Sequence, residues 1–191
     1  MSNAFVLGNG ISRQGLDLKH LESYGSIYGC NALYREFAPS VLIATDRPIA
    51  EQIQHSGYAK QHRFHTRRPI EGLGARGIPD KYWGYSSGPA ALAIAANDKN
   101  THIYMIGFDM GPAPNGRFNN VYANTEFYKP GASNPTYTGN WVKQMRTVIE
   151  DYPKCSFYRV YGATTSPISE FDRLTNLYNL TMEEFQTRIN M

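Results

Sequence analysis

Residues 3–12 constrain the fold of this chain more than any other segment. Asn3-Ala4-Phe5-Val6-Leu7 is a short apolar run that stops at Gly8-Asn9-Gly10-Ile11-Ser12, and residues 17–22 follow with helical spacing. A buried strand that breaks into a glycine turn and then a helix is how α/β proteins receive phosphate. Glycine lets backbone N–H groups approach a ligand closely, and the helix start behind it offers unpaired donors and partial positive charge. The turn lacks the third glycine of a dinucleotide fingerprint and the Gly-Lys-Ser/Thr of a P-loop. The plain alternative is a tight β-to-α turn with Ser12 as a local cap.

The rest of the chain repeats the pattern. Apolar runs of strand length fall at residues 5–8, 26–30, 41–45, 103–106 and 156–160, and residues 62–65 offer a short further strand. They are continuous rather than alternating, which suits strands buried on both faces of a parallel sheet. Helical spacing falls between them at 17–23, 49–56 (after Pro48), 89–97 and 141–151. The expected fold is a single Rossmann-like α/β domain, a mostly parallel sheet with helices on both faces, over residues 1–163. Residues 164–191 read as a polar C-terminal extension with a helix start at Thr181-Met182-Glu183-Glu184. Two stretches are irregular, 67–85 and 111–140. The second is rich in Asn, Tyr and Pro, and reads as a lid or substrate loop.

Composition narrows the function classes. The chain has 191 residues with 41% hydrophobic and 18% charged, which suits one globular core. No apolar run approaches the roughly 20 residues of a membrane span, and residues 1–4 lack the basic region of a signal peptide. Cys30 and Cys155 read as buried free thiols. Together these lead to the expectation of a cytoplasmic protein. A net charge of +3 permits an anionic ligand but does not mark a nucleic-acid protein. No Cys, His or carboxylate spacing predicts a bound metal, and a homo-oligomer is left open.

Ligands of open α/β sheets bind outside the carboxyl ends of the strands. Polar residues gather at those predicted ends: Asn9 and Ser12, Asn31, Asp46 and Asp109. Ser86-Ser87-Gly88 adds the start of the Ala-rich helix on the same edge. Each of them can also be a local turn cap. The basic stretch Lys60, His62, Arg63, His65, Arg67 and Arg68 would meet a phosphate or an acidic sugar, or be a solvated loop.

The order Gly8-Asn9-Gly10-x-Ser12, Cys30-Asn31, Ser86-Ser87-Gly88 and Ile103-Tyr104-x-Ile106-Gly107-Phe108-Asp109 resembles the bacterial α-2,3-sialyltransferase family that uses CMP-sialic acid. It is similar also to Maf-type motility-accessory glycosyltransferases and to hydroxymethylpterin pyrophosphokinase-like domains. The resemblance implies a nucleotide site at Gly8, Asn9, Gly10, Ser12, Asn31, Ser87, Gly88 and Asp109. It pairs Tyr122 and Tyr128 with the family's loop tyrosines, which help the phosphate leave. The family's His before the penultimate helix has no counterpart: residues 137–141 read Tyr-Thr-Gly-Asn-Trp, and all five histidines precede Asp109. The family's larger insertion is also missing.

The expected function is a nucleotide-dependent transferase, a glycosyltransferase with a CMP-sugar-like donor. Asp109, Tyr122 and Tyr128 are its catalytic candidates, and Asp46 is a second candidate base. A divalent metal held with the nucleotide by Asp109 would serve pyrophosphoryl transfer instead. The alternative is a protein of the same fold that binds or sequesters a nucleotide or nucleotide sugar without catalysis.

Overall fold

Side chains of the central strand go alternately to two helical layers. In the computed structural model, which describes residues 2–191, Ala4 and Val6 of β1 (Asn3–Leu7) pack in one core, and Phe5 and Leu7 in the other. The first core lies beneath α3 (Ser87–Asn97) and α4 (Gly139–Asp151). The second lies beneath α1 (Leu18–Leu21), α2 (Arg47–His55) and α5 (Met182–Ile189). This two-sided burial explains the continuous apolar runs of the strands.

The strands β2 (Ser26–Cys30), β3 (Val41–Ile43), β4 (Phe64–His65), β5 (His102–Ile106), β6 (Ser156–Tyr161) and β7 (Leu177–Thr181) complete one sheet with β1. Its order is β4-β3-β2-β1-β5-β6-β7, and every neighbouring pair is parallel. The fold is therefore α/β, a parallel seven-stranded sheet of the Rossmann-like kind. The chain runs outward from β1 to β4, then returns through α3 to β5 on the other side of β1. The order reverses between β1 and β5, and a crevice is expected at that switch point. α3 is apolar all round because it lies over β1, β2, β3 and β5 and under α4.

Residues 164–191 do not form an extension. β7 pairs with β6 from Phe157–Leu177 to Tyr161–Thr181, and α5 buries Phe185 and Ile189 against the sheet. As an edge strand, β7 leaves Tyr178, Asn179 and Thr181 exposed, so its sequence carries no continuous apolar run. The helix start at Thr181 is as read from the sequence. Glu184 N–H donates to Thr181 Oγ1 at 3.1 Å, and Thr181 N–H donates to Glu184 Oε2 at 2.8 Å. No helix among the described residues is long and apolar enough to cross a membrane.

Candidate functional site

β1 and β5 are adjacent and parallel, so their exits meet at one edge. Gly8 N–H donates to Ile106 O and Gly10 N–H to Gly107 O, both at 2.8 Å. The two turns touch backbone to backbone. A Cβ on Gly8 would stand 2.5 Å from Gly107 O, and one on Gly10 would stand 2.4 Å from Asp109 Cγ. Gly107 itself sits at φ +79, the left-handed region that glycine tolerates. These glycines are thus required by the contact between turns, whatever else approaches them. Gly10→Val is expected to destabilise the fold by about 3 kcal/mol through overpacking. Thermal unfolding of the variant checks this.

Asp109 is the centre of that contact. It is only 3% exposed. Its carboxylate accepts from Ser12 N–H (3.0 Å), Ser12 Oγ, Asn119 Nδ2 (3.1 Å), Thr164 Oγ1 (2.6 Å) and Thr165 Oγ1 (3.3 Å). A carboxylate offers about four lone-pair positions, and these donors occupy them. The sequence-based roles of base, metal ligand or ribose acceptor each need a free lone pair, and Asp109 has none to give. Its role in this geometry is to fasten the glycine turn, the loop after β5 and the turn after β6 to one another. No three His, Cys, Asp or Glu side chains among the described residues are grouped to hold a metal ion.

Arg159, absent from the sequence-based site, stands behind Asp109. It is 1% exposed and donates to the carbonyls of Phe108 (2.8 Å), Asp109 (3.3 Å) and Ser166 (2.6 Å). Burial lowers its pKa, and the Asp109 charge acts in the opposite direction. A charged side chain within an otherwise aromatic and apolar strand was the available signal.

Tyr122 and Tyr128 are not in the cavity, contrary to their expected catalytic role. Tyr122 Oη accepts from Arg13 Nη2 (3.0 Å) and donates to Glu36 Oε1 (2.7 Å). Tyr128 Oη accepts from Ala32 N–H at 3.3 Å. Burial pushes the Tyr128 hydroxyl up to about 12 and the Tyr122 hydroxyl upward as well. Their rings, 5.5 Å apart, anchor the loop to the segment after β2. Further anchors are Ile11 N–H to Asn119 Oδ1 (2.8 Å), Val121 N–H to Asn9 O (2.8 Å) and Arg35 to Thr125 Oγ1 (3.0 Å).

The loop therefore has two parts. Residues 117–128 are packed across the glycine turn, and Tyr137 in the second part is 81% exposed. Limited chymotrypsin treatment is expected to cut first after Tyr137 and to spare Tyr122 and Tyr128, as mass spectrometry of the early fragments would show.

The cavity lies at the carboxyl edge, over the β1/β5 switch point, and measures about 280 Å³. Gly8, Asn9, Gly10, Asn31, Ser87, Gly88 and Asp109 all line it, as do Asp46, Phe118 and Trp141. Ser12 does not; it is bound to Asp109 behind the turn. Asn31 takes a left-handed conformation (φ 54), which Asn tolerates better than most side chains. Its Oδ1 accepts from Ser87 Oγ at 3.0 Å, and Ser87 Oγ accepts from Thr45 N–H at 3.0 Å. The ends of β2 and β3 are thereby tied to the start of α3.

The cavity's positive potential comes from backbone. No Lys or Arg among the described residues lines it. The starts of α3 and α4 both open on it. Neither N-cap side chain makes a capping bond, and neither first turn holds an acid. Ser86 N–H donates to Gln144 Oε1 at 2.9 Å, which ties the start of α3 to the second turn of α4. The first-turn N–H groups of α3, at Ser87 and Gly88, are left free of intrahelical partners and carry partial positive charge.

Asp46 is the cavity's other carboxylate. It is exposed, and no hydrogen bond or ion pair reaches its side chain among the described residues. The basic stretch lies off the cavity. Arg67 there holds the carbonyls of Trp83, Gly84 and Tyr85 (2.9, 2.9 and 2.7 Å), fixing the turn that leads into α3.

The chain matches no protein-family model, no curated protein and no solved structure.

Proposed function

We propose that this cavity binds a nucleotide or nucleotide sugar and that the protein is a nucleotide-dependent transferase, a glycosyltransferase with a CMP-sugar-like donor. The observation that carries the reading is the pairing of two uncapped helix starts with Asn31 and Ser87 at the sheet's switch point. A phosphate on the N–H groups of Ser87 and Gly88 would gain charge-assisted hydrogen bonds without a basic side chain. The same donors would stabilise charge on the leaving phosphate. Asp46, with its lone pairs free, takes the place of Asp109 as the base that receives the acceptor hydroxyl's proton. Residues 129–134 are tied to residues 117–124, by Phe118 N–H to Ser133 O (3.0 Å) and Asn124 N–H to Lys129 O (3.0 Å) among others. Residues 135–138, with Thr136 and Thr138 at the cavity, are therefore the part of the loop left to cover it when occupied.

The second reading is a binding protein without catalysis. It is favoured by one observation: Asp109 is saturated and both tyrosines stand outside the cavity. Thermal unfolding in the presence of CMP, CDP, UDP, GDP, ATP and CMP-sialic acid tests both readings. Stabilisation followed by turnover of the stabilising donor supports the transferase. Stabilisation without turnover, across a range of acceptor sugars, supports the binding protein. No stabilisation by any of them would defeat both.

A further inference from the structure

A second groove, of about 420 Å³, lies behind the glycine turn and is lined by Arg13, Lys19, Glu36, Phe37 and Tyr122. Arg13 is its floor and is only 5% exposed. Its Nε donates to Gly8 O (2.9 Å), and its Nη2 donates to Asn9 Oδ1 (3.1 Å) and Tyr122 Oη (3.0 Å). These bonds leave Nη1, whose only acidic neighbour among the described residues is Glu36 Oε1 at 3.5 Å. That is longer than the roughly 2.7–2.9 Å of a charge-assisted hydrogen bond. The counter-charge of this buried guanidinium is thus a distant carboxylate on a side chain that is 52% exposed, held in place mainly by the Tyr122 hydroxyl.

We propose that this groove is a second binding site, which takes a phosphate group in place of Glu36 as the counter-charge of Arg13. Departure of Glu36 frees two donors together, Arg13 Nη1 and the Tyr122 hydroxyl, which now donates to Glu36 at 2.7 Å. Lys19 supplies a third, since its ammonium has no ion pair among the described residues. Three donors suit the three terminal oxygens of a phosphoryl group, whereas a carboxylate offers two. Arg13 keeps its bonds to Gly8 and Asn9 throughout, so the site is contiguous with the glycine turn without sharing the cavity described above. The proposal does not depend on the nucleotide reading.

The test titrates inorganic phosphate into the folded protein at constant ionic strength, with chloride as the balancing anion. The Arg13 Nε–H resonance reports binding by NMR. A saturable shift is expected. Glu36→Gln removes the internal competitor and is expected to tighten phosphate about five-fold, while Lys19→Gln weakens it about two- to five-fold. The opposite signs separate a binding site from a merely structural ion pair, for which Glu36→Gln could only loosen Arg13. An unmoved or unsaturable resonance, equal affinity in wild type and Glu36→Gln, or an equal response to acetate would overturn the proposal.

Discussion

Asp109→Asn is expected to cost about 3–5 kcal/mol of stability, the scale of breaking a buried charged network. The substitution keeps the size of the side chain but replaces an acceptor oxygen by an NH₂ donor. That donor would face groups that now donate: Ser12, Asn119, Thr164 and Thr165. It also removes the negative charge that offsets the buried Arg159 behind it. For a chain of this length such a loss lowers the Tm by roughly 10 °C. A catalytic base behaves differently: its Asn variant stays stable and loses turnover. Thermal unfolding of Asp109→Asn therefore separates the fastening role from the catalytic one, and an unchanged Tm would contradict the role assigned here.

Asp46→Asn is expected to do the reverse. Its carboxylate has no partner among the described residues, so the fold loses little. If Asp46 takes the acceptor's proton, turnover falls by ~10²–10⁴-fold with the donor still bound. Single-turnover assays with the stabilising nucleotide sugar, beside its dissociation constant, check the split. Turnover equal to wild type would remove Asp46 from the mechanism.

The sheet was legible because burial on two faces writes continuous apolar runs, and β1, β2, β3 and β5 carry them. β7 was not legible, because an edge strand with one neighbour needs apolar side chains at only some positions. Leu177-Tyr178-Asn179-Leu180-Thr181 reads as polar for that reason. The edge of the sheet that carries the cavity was also legible, since a strand followed by Gly-Asn-Gly or Gly-Phe-Asp has to end there. What each residue does at that edge was not. Asp109 and Asp46 look alike in sequence, each an Asp after a strand. Their difference lies in donors brought from residues 12, 119, 164 and 165, which are distant in the chain. Tyr122 and Tyr128 are likewise placed by partners in residues 13–36.

In the proposed function the start of α3 is the phosphate seat. The direct measurement is a ¹H–¹⁵N NMR titration of the uniformly labelled protein with the nucleotide that most raises its Tm. The amides of Ser87 and Gly88 should move furthest and move together, followed by the side-chain amide of Asn31, with one dissociation constant for all three. A stabilising nucleotide that leaves Ser87 and Gly88 unmoved, and shifts amides away from the cavity instead, would contradict the account.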